Sequence, residues 1–412
     1  MSPYETIAIL IFLAALFAYV NAKFLKLAPT IGLMLEAFVV SLLLIGLDLG
    51  GLPGIGSVRA LLGGIDFNRV LFHGLLSFLL FAGALQTCLA CLVQVRGQVL
   101  ALATAGVVIS TIVVGFLSYA LVRAAGLGVP LGYCLLFGAL ISPTDPVAVL
   151  ALIRHTKISA NLQAVVEGEA LFNDGIAVVV FAILLTLVTG GKSLPLPAEA
   201  AILIVREAIG GLLFGLALGY AGYAVIRTID DYPVEILITL ALVAGGYALA
   251  EALGTSGPLA MAVAGIVIGN HARNRVMSLR TQVNLDRFWE MVDIILNAVL
   301  FVLIGLEAVR FAAAFSPVRL AVAVAAVPAV LLGRLVSVGV PVLAFRKVSG
   351  VSYRSLPFLT WAGLRGAIPI ALVLSLPAGG DRDLLVGITY VVVIFSILVQ
   401  GLTLKYFIPK KP

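Results

Sequence analysis

Charge is scarce in this sequence: of 412 residues only 11% are Asp, Glu, Lys or Arg, against 62% hydrophobic. With a mean hydropathy of +1.18, the chain has far more apolar surface than one soluble core can hide, which excludes an ordinary soluble globular fold. Cysteine is scarce too. Cys88, Cys91 and Cys134 all fall in apolar segments, so no disulfide framework is expected. Cys88 and Cys91 form CLAC, a redox pattern on paper. The run around them reads as a helix in lipid with no βαβ context, so both are expected to be small buried apolar side chains. The three histidines, His73, His155 and His271, stand far apart with no partner at ligand spacing, which argues against a transition-metal centre. No cofactor is implied. The net charge is +6, but the basic residues lie in short loops and form neither stripe nor tail, so a nucleic-acid partner is excluded.

Long apolar runs are what the sequence has instead. A bilayer core about 30 Å thick needs about 20 apolar residues in a helix. Runs of that order occupy 4–22, 28–48, 68–92, 98–122, 131–152, 161–189, 200–226, 233–252, 255–271, 288–309, 317–345, 355–377 and 385–408. The expectation is therefore an all-α polytopic membrane protein with about thirteen transmembrane helices. The first run lacks the basic flank and cleavage site of a signal peptide and is expected to stay as a helix. If the N-terminus is outside, the inner loops and C-terminus hold sixteen Lys and Arg and the outer ends seven. That bias favours a multi-pass inner (plasma) membrane protein with its N-terminus outside and its C-terminus cytoplasmic.

Thirteen spans permit an internal symmetry. The reading is one transporter domain over 1–412, built of a first repeat at 1–190, a linker helix at 191–230 and a second, inverted repeat at 231–412. In such transporters the site lies at midmembrane beside interrupted helices at matching positions. The fifth span of each half carries such an interruption: SPTDP (Ser142 to Pro146) and GLRGAIP (Gly363 to Pro369), each holding one ionisable residue, Asp145 and Arg365.

Pro143 and Pro146 remove backbone donors and bias the preceding residues away from helix, so Thr144 and Asp145 are expected on extended backbone, with freed carbonyls available to a cation. A plain kink whose Thr and Asp cap the following half-helix is the simpler reading, and both roles can coexist. In EGEALFNDGIAVVVF (167–181), Glu167 and Asp174 share a helix face. Glu169 and Asn173 share another, about 140° from that of Asp174. Asp174 lies about 20 Å along span 6, near the midplane. An acid there escapes an unpaired charge by holding a proton or a cation, and competition between the two is itself an exchange mechanism. Oxygen ligands from Asp174, Asp145 and Thr144 suit a hard monovalent cation such as Na⁺. Glu167, nearer the inner interface, is as well suited to solvation or capping. Arg365 needs a partner in the membrane, and Glu169 is expected to form a structural ion pair with it. Arg334 and Glu307 are placed near span ends, with helix packing their only role, and Arg206 and Glu207 on a dimer surface.

The strings SPTDPVAV, EGEALFNDGIAVVVF, SGPLAMAVAGIVIGN, FWEMVDIILNAVLFVLIGLE and WAGLRGAIPIALVLSLP, in this order, resemble the sodium/proton exchanger family, in particular its prokaryotic NhaP-like branch. The resemblance implies thirteen spans in inverted repeats (the NhaA/NhaP-like antiporter fold), a homodimer, and a core that moves as an elevator. It implies that Asp174 is the carboxylate shared by cation and proton, that Asn173 marks electroneutral exchange, and that Thr144 and Asp145 line the site. It also implies the Glu169–Arg365 pair. Two departures stand out: Ala170 occupies a position where the family often has Ser, and FAGAL with Ala82 replaces a FEGAL-like string. The function expected is Na⁺/H⁺ antiport, with Li⁺ or K⁺ as other cargo. A passive channel would need a continuous polar lining or a ring of acids, where the sequence offers one compact cluster; an intramembrane aspartyl hydrolase would need two acids about a water, which Asp145 and Asp174 could mimic, but Thr144-Asp145-Pro146 lacks a substrate-gating context, so no enzymatic activity is expected.

Overall fold

A computed structural model describes residues 3–27, 29–49, 75–145, 149–150, 158–189, 205–273, 276–312, 316–344 and 353–409. Every described element is helical, as the bilayer demands of a chain that must satisfy its own backbone polar groups. In chain order the helices are α1 (Pro3–Val20), α2 (Pro29–Leu49), α3 (Leu76–Gln86), α4 (Leu89–Ala101), α5 (Val107–Ala124), α6 (Leu131–Leu140), α7 (Ala160–Thr189) and α8 (Gly210–Ile226). They continue with α9 (Tyr232–Ala252), α10 (Gly257–Val267), α11 (Leu279–Ala312), α12 (Pro317–Ala344), α13 (Leu356–Trp361), α14 (Ala367–Leu374) and α15 (Gly380–Phe395). Eight helical stretches are long and apolar enough to cross a bilayer, and four shorter apolar helices, among them α3 and α6, accompany them among the described residues. Their outer faces are apolar: Ile7, Ile11, Phe12 and Leu16 of α1 are all exposed, as a lipid-facing helix requires.

Among the described residues, each of the thirteen apolar runs overlaps a helix or an interrupted pair of helices. Two starts come nine residues early: α11 begins at Leu279 rather than 288, and the other bears on the site. Helix α3 stops at Gln86 and α4 starts at Leu89, continuing through a π-helical turn (Leu102–Gly106) into α5, so the fourth crossing starts nine residues before its expected position at 98. The cause is local. Thr87 and Cys88 are extended, and the Asn270 side chain bridges the gap by donating to the Thr87 carbonyl (3.0 Å) and accepting from the Leu89 N–H (3.0 Å). Residues 191–204, part of the expected linker, lie outside the described residues, as does Pro146.

By packing, the helices sort into two groups. In one, α11 packs on α1, α2 and α3, while α10 packs on α3, α8 and α9; Trp289 of α11, fully buried, stacks on Phe78, meets Phe81 at a tilt and Phe288 edge-on. In the other, α5 packs on α6 and α12, α7 on α4 and α6, and α15 on α12 and α14. The candidate site lies between the groups.

Glu36 of α2 is buried, and neither carboxylate oxygen has a hydrogen-bond partner among the described residues. A buried carboxyl left without partners costs about 1–3 kcal/mol. Glu36→Leu is therefore expected to raise the thermal unfolding midpoint in detergent while leaving transport unchanged, since Glu36 is not on the wall of the cavity described below; a lowered midpoint would show that the carboxylate has a stabilising role.

Candidate functional site

Two breaks in helices carry the site. Helix α6 ends at Leu140 and the chain runs without regular structure from Ser142 through Asp145; α13 ends at Trp361 and α14 resumes at Ala367. The breaks meet. The Asp145 N–H donates to the Leu364 carbonyl (2.8 Å), and Arg365 Nη1 donates to the carbonyls of Ser142 (2.6 Å) and Pro143 (2.9 Å). Those carbonyls lost their helical partners when prolines interrupted the turn, and a guanidinium supplies donors that lipid cannot. The Arg365 N–H in turn donates to Ser396 Oγ (2.8 Å), which a π-helical turn (Ser396–Gln400) after α15 presents.

Small residues allow the approach. A Cβ on Gly366 would lie 2.5 Å from Asp145 Oδ2, and one on Gly363 would collide with the Arg334 guanidinium. Gly366→Ala is expected to displace Asp145 and abolish exchange, whereas Gly245→Ala, which meets open space, is expected to leave it intact; comparable flux in both variants would show that the close approach is dispensable.

Helix α7 supplies the carboxylate. Asp174 is 8% exposed, and its Oδ1 accepts no hydrogen bond among the described residues. With Thr144 and Asp145 it lines a cavity of about 630 Å³ between the helix groups. Asn173 is not on the cavity wall: its amide donates (2.8 Å) to Oγ1 of Thr144, which is. Ala170, one turn before Asp174, also lines the cavity, so a methyl stands where the resemblance implies a hydroxyl. Ala82 is fully buried and is not part of the wall.

The pairing expected between Glu169 and Arg365 is corrected by the geometry. Glu169 is held by Arg334 of α12, whose Nη2 donates to Glu169 Oε2 (3.0 Å) and to the Leu359 carbonyl (3.2 Å) and whose Nη1 bonds the other carboxylate oxygen. Arg334 is 6% exposed, not snorkelling at a span end. Helix-face arithmetic placed Glu169 away from Asp174 correctly, but which of two buried guanidiniums reaches it depends on how α12 packs, and the broken backbone claims Arg365. The position of Arg334, eighteenth in the twenty-eight residues of α12, was the available signal. The side chain of Glu307 lies outside those described. Arg206 Nη2 donates to the Leu253 carbonyl (3.1 Å) and the Glu207 carbonyl accepts from the Ser256 N–H (3.0 Å), so both tie the start of α8 to the turn between α9 and α10.

Glu167 lines the same cavity and accepts from Gln163 Nε2 (2.8 Å). Asp293 and Asn297 of α11 line it too, with the Asn297 amide donating to Asp293 Oδ1 (2.9 Å). Sequence reasoning missed this pair, although its four-residue spacing within an apolar run was visible. The cavity reaches the turn between α1 and α2 at Asn21, Ala22 and Leu27, and the end of α3 at Gln86 and Thr87.

Cys88 and Cys91 also differ from expectation. They are joined by a disulfide, with Cys88 exposed at the N-cap of α4. A continuous helix through 92 would have kept both in an apolar face; the break at Thr87 instead puts Cys88 at a helix terminus.

A helical membrane protein whose two broken crossings meet beside a buried carboxylate at a cavity is a secondary transporter in class. The family follows from comparison. The family described as sodium/hydrogen exchanger, transmembrane, matches residues 10–410, and the chain belongs to it. It is 47% identical over 406 residues to the Na(+)/H(+) antiporter NhaP of Pseudomonas aeruginosa, covering 97% of this chain and 95% of that one. It is 38% identical to the Na(+)/H(+) antiporter NhaH of Halobacillus dabanensis, covering 92% and 93%. In fold it matches the structure of the sodium proton antiporter MjNhaP1 from Methanocaldococcus jannaschii with a TM-score of 0.72 at 19% identity, covering 97% of this chain and all of that one.

Proposed function

We propose that this protein is an electroneutral antiporter that exchanges Na⁺ for H⁺ by alternating access, the cation and the proton competing for Asp174. The observation that carries the reading is the buried Asp174 carboxylate, whose Oδ1 accepts no hydrogen bond among the described residues, on a residue that lines the cavity with Thr144 and Asp145. The names of the relatives support the choice of ions. A carboxylate taken out of water must be neutralised by a proton or a cation, and the cavity delivers either. One carboxylate that trades one H⁺ for one Na⁺ carries the same charge through both half-cycles, which makes exchange electroneutral. Glu169, already neutralised by Arg334, takes no part. Asn173 acts through Thr144, whose hydroxyl joins the ligand set.

In this reading the repeats at 1–190 and 231–412, joined by 191–230, are inverted, the protein works as a homodimer in the plasma membrane, and its C-terminus is cytoplasmic. The turn that the cavity reaches carries Lys23 and Lys26, so the cavity faces inward.

The test is proteoliposome flux with a pH-sensitive dye in Na⁺, Li⁺ and K⁺. Na⁺-driven proton flux independent of a potential clamped with valinomycin is expected; a potential-dependent rate would refute electroneutrality, and flux only with K⁺ would change the cargo. Competition sets the sign of the pH dependence. As pH falls below the site's titration point, the half-saturating Na⁺ concentration should rise about tenfold per unit, because each proton bound excludes one cation. A half-saturation constant independent of pH would remove competition from the mechanism.

A further inference from the structure

We propose that Cys88 and Cys91 form a thiol–disulfide exchange site that reacts with cellular dithiols and tunes the hinge between the two helix groups. The two cysteines sit at a junction with two properties. Helix α3, before it, packs on α10 and α11 in one group; α4, after it, packs on α7, which carries Asp174, in the other. Thr87, adjacent to Cys88, lines the cavity. Any movement of one group against the other bends the chain at Thr87–Cys88, where the Asn270 side chain bonds the backbone on both sides.

The chemistry is that of a CxxC at a helix start. Cys88 is the N-cap of α4, with extended backbone (φ −76°, ψ 104°), and its Sγ accepts from the Cys91 N–H (3.2 Å). The Cys91 N–H aimed at Cys88 Sγ stabilises charge that develops on that sulfur when it is released, so Cys88 is a good leaving sulfur. Cys88 is the more exposed of the two and follows Thr87, which lines the cavity, so the approach is to Cys88 from the cavity side. A thiolate of an incoming dithiol attacks Cys88 Sγ; the S–S bond breaks and Cys91 leaves as a thiolate that takes a proton. The second thiolate of the dithiol then attacks its own sulfur in the mixed disulfide and releases Cys88. Two electrons and two protons pass to the protein, and the dithiol leaves as a disulfide. On the inward side proposed above, such a pair is cycled rather than permanently oxidised.

Closed, the disulfide fixes the first turn of α4 and stiffens the hinge; open, it releases Cys88 to follow the bend. The rate consequence rests on the antiport reading, but the exchange site does not. With the full chain in proteoliposomes, an impermeant maleimide is expected to label two thiols after dithiothreitol and none after diamide, while buried Cys134 stays unlabelled as an internal control. With oxidised glutathione, Cys91→Ser is expected to trap one mixed disulfide on Cys88, and Cys88→Ser none. Reduced wild type should exchange at least about twofold faster than oxidised, and Cys88→Ser should lose that difference. Labelling equal after both treatments, or equal adducts in both variants, overturns the exchange site. Equal rates in oxidised and reduced protein overturn the hinge coupling. A reversible thiol switch with no Na⁺-driven flux overturns the antiport reading and leaves the exchange site standing.

Discussion

Asp174→Asn is expected to reduce cation-driven proton flux to that of protein-free liposomes. The amide fits the carboxylate's space, so folding should survive, and a thermal midpoint equal to or above that of the wild type would show that it does. What is lost is the charge. Two unit charges about 4 Å apart at an effective dielectric of about 20 interact by about 4 kcal/mol, which is about a thousandfold in cation affinity. The amide also has no proton to exchange, so both half-cycles fail together. Flux above a tenth of the wild-type value would move the exchange carboxylate elsewhere, with Asp145, Glu167 and Asp293 on the same cavity wall as the alternatives.

Arg334→Gln should be among the most destabilising single substitutions in the chain. It leaves Glu169, 3% exposed, as an uncompensated buried charge, and breaking one partner of such a pair costs about 3–5 kcal/mol. Glu169→Gln should cost a similar amount by stranding the guanidinium, whereas Glu169→Leu with Arg334→Met should recover most of the loss, because an apolar pair needs no partner. A double-mutant cycle by thermal unfolding separates this pair from the alternative. The coupling of Glu169 with Arg334 is expected to exceed about 1 kcal/mol and to be larger than its coupling with Arg365. The reverse order would mean that Arg365, despite its bonds to Ser142 and Pro143, is the effective counter-charge.

What the sequence revealed and what it hid divide along one physical line. Apolar length is set by the bilayer and read locally, so the thirteen runs were visible, and Pro143 with the GLRGA string located both breaks. The places where Asp174, Asp145 and Thr144 come together were legible because a charge at midmembrane is costly wherever it occurs. Partner choice was not legible. The sequence offered Glu169 only Arg365 and set Arg334 near a span end, and it is the packing of α12 against α13, together with the small Gly363, that brings Arg334 to it. Cys88 was misread for a different reason: two extended residues, Thr87 and Cys88, convert an apparently continuous apolar run into a helix end, and hydropathy does not register a break that short.

The bonds from Arg365 to the carbonyls of Ser142 and Pro143 span 223 and 222 residues. During synthesis the first half therefore enters the bilayer with those carbonyls exposed at the break, and their donor emerges only when nearly nine-tenths of the chain has been made. Until then the crossing can satisfy them only with water or a provisional partner. The two breaks thus complete each other only late in synthesis, and a chain truncated before Arg365 would leave the carbonyls of Ser142 and Pro143 without that donor.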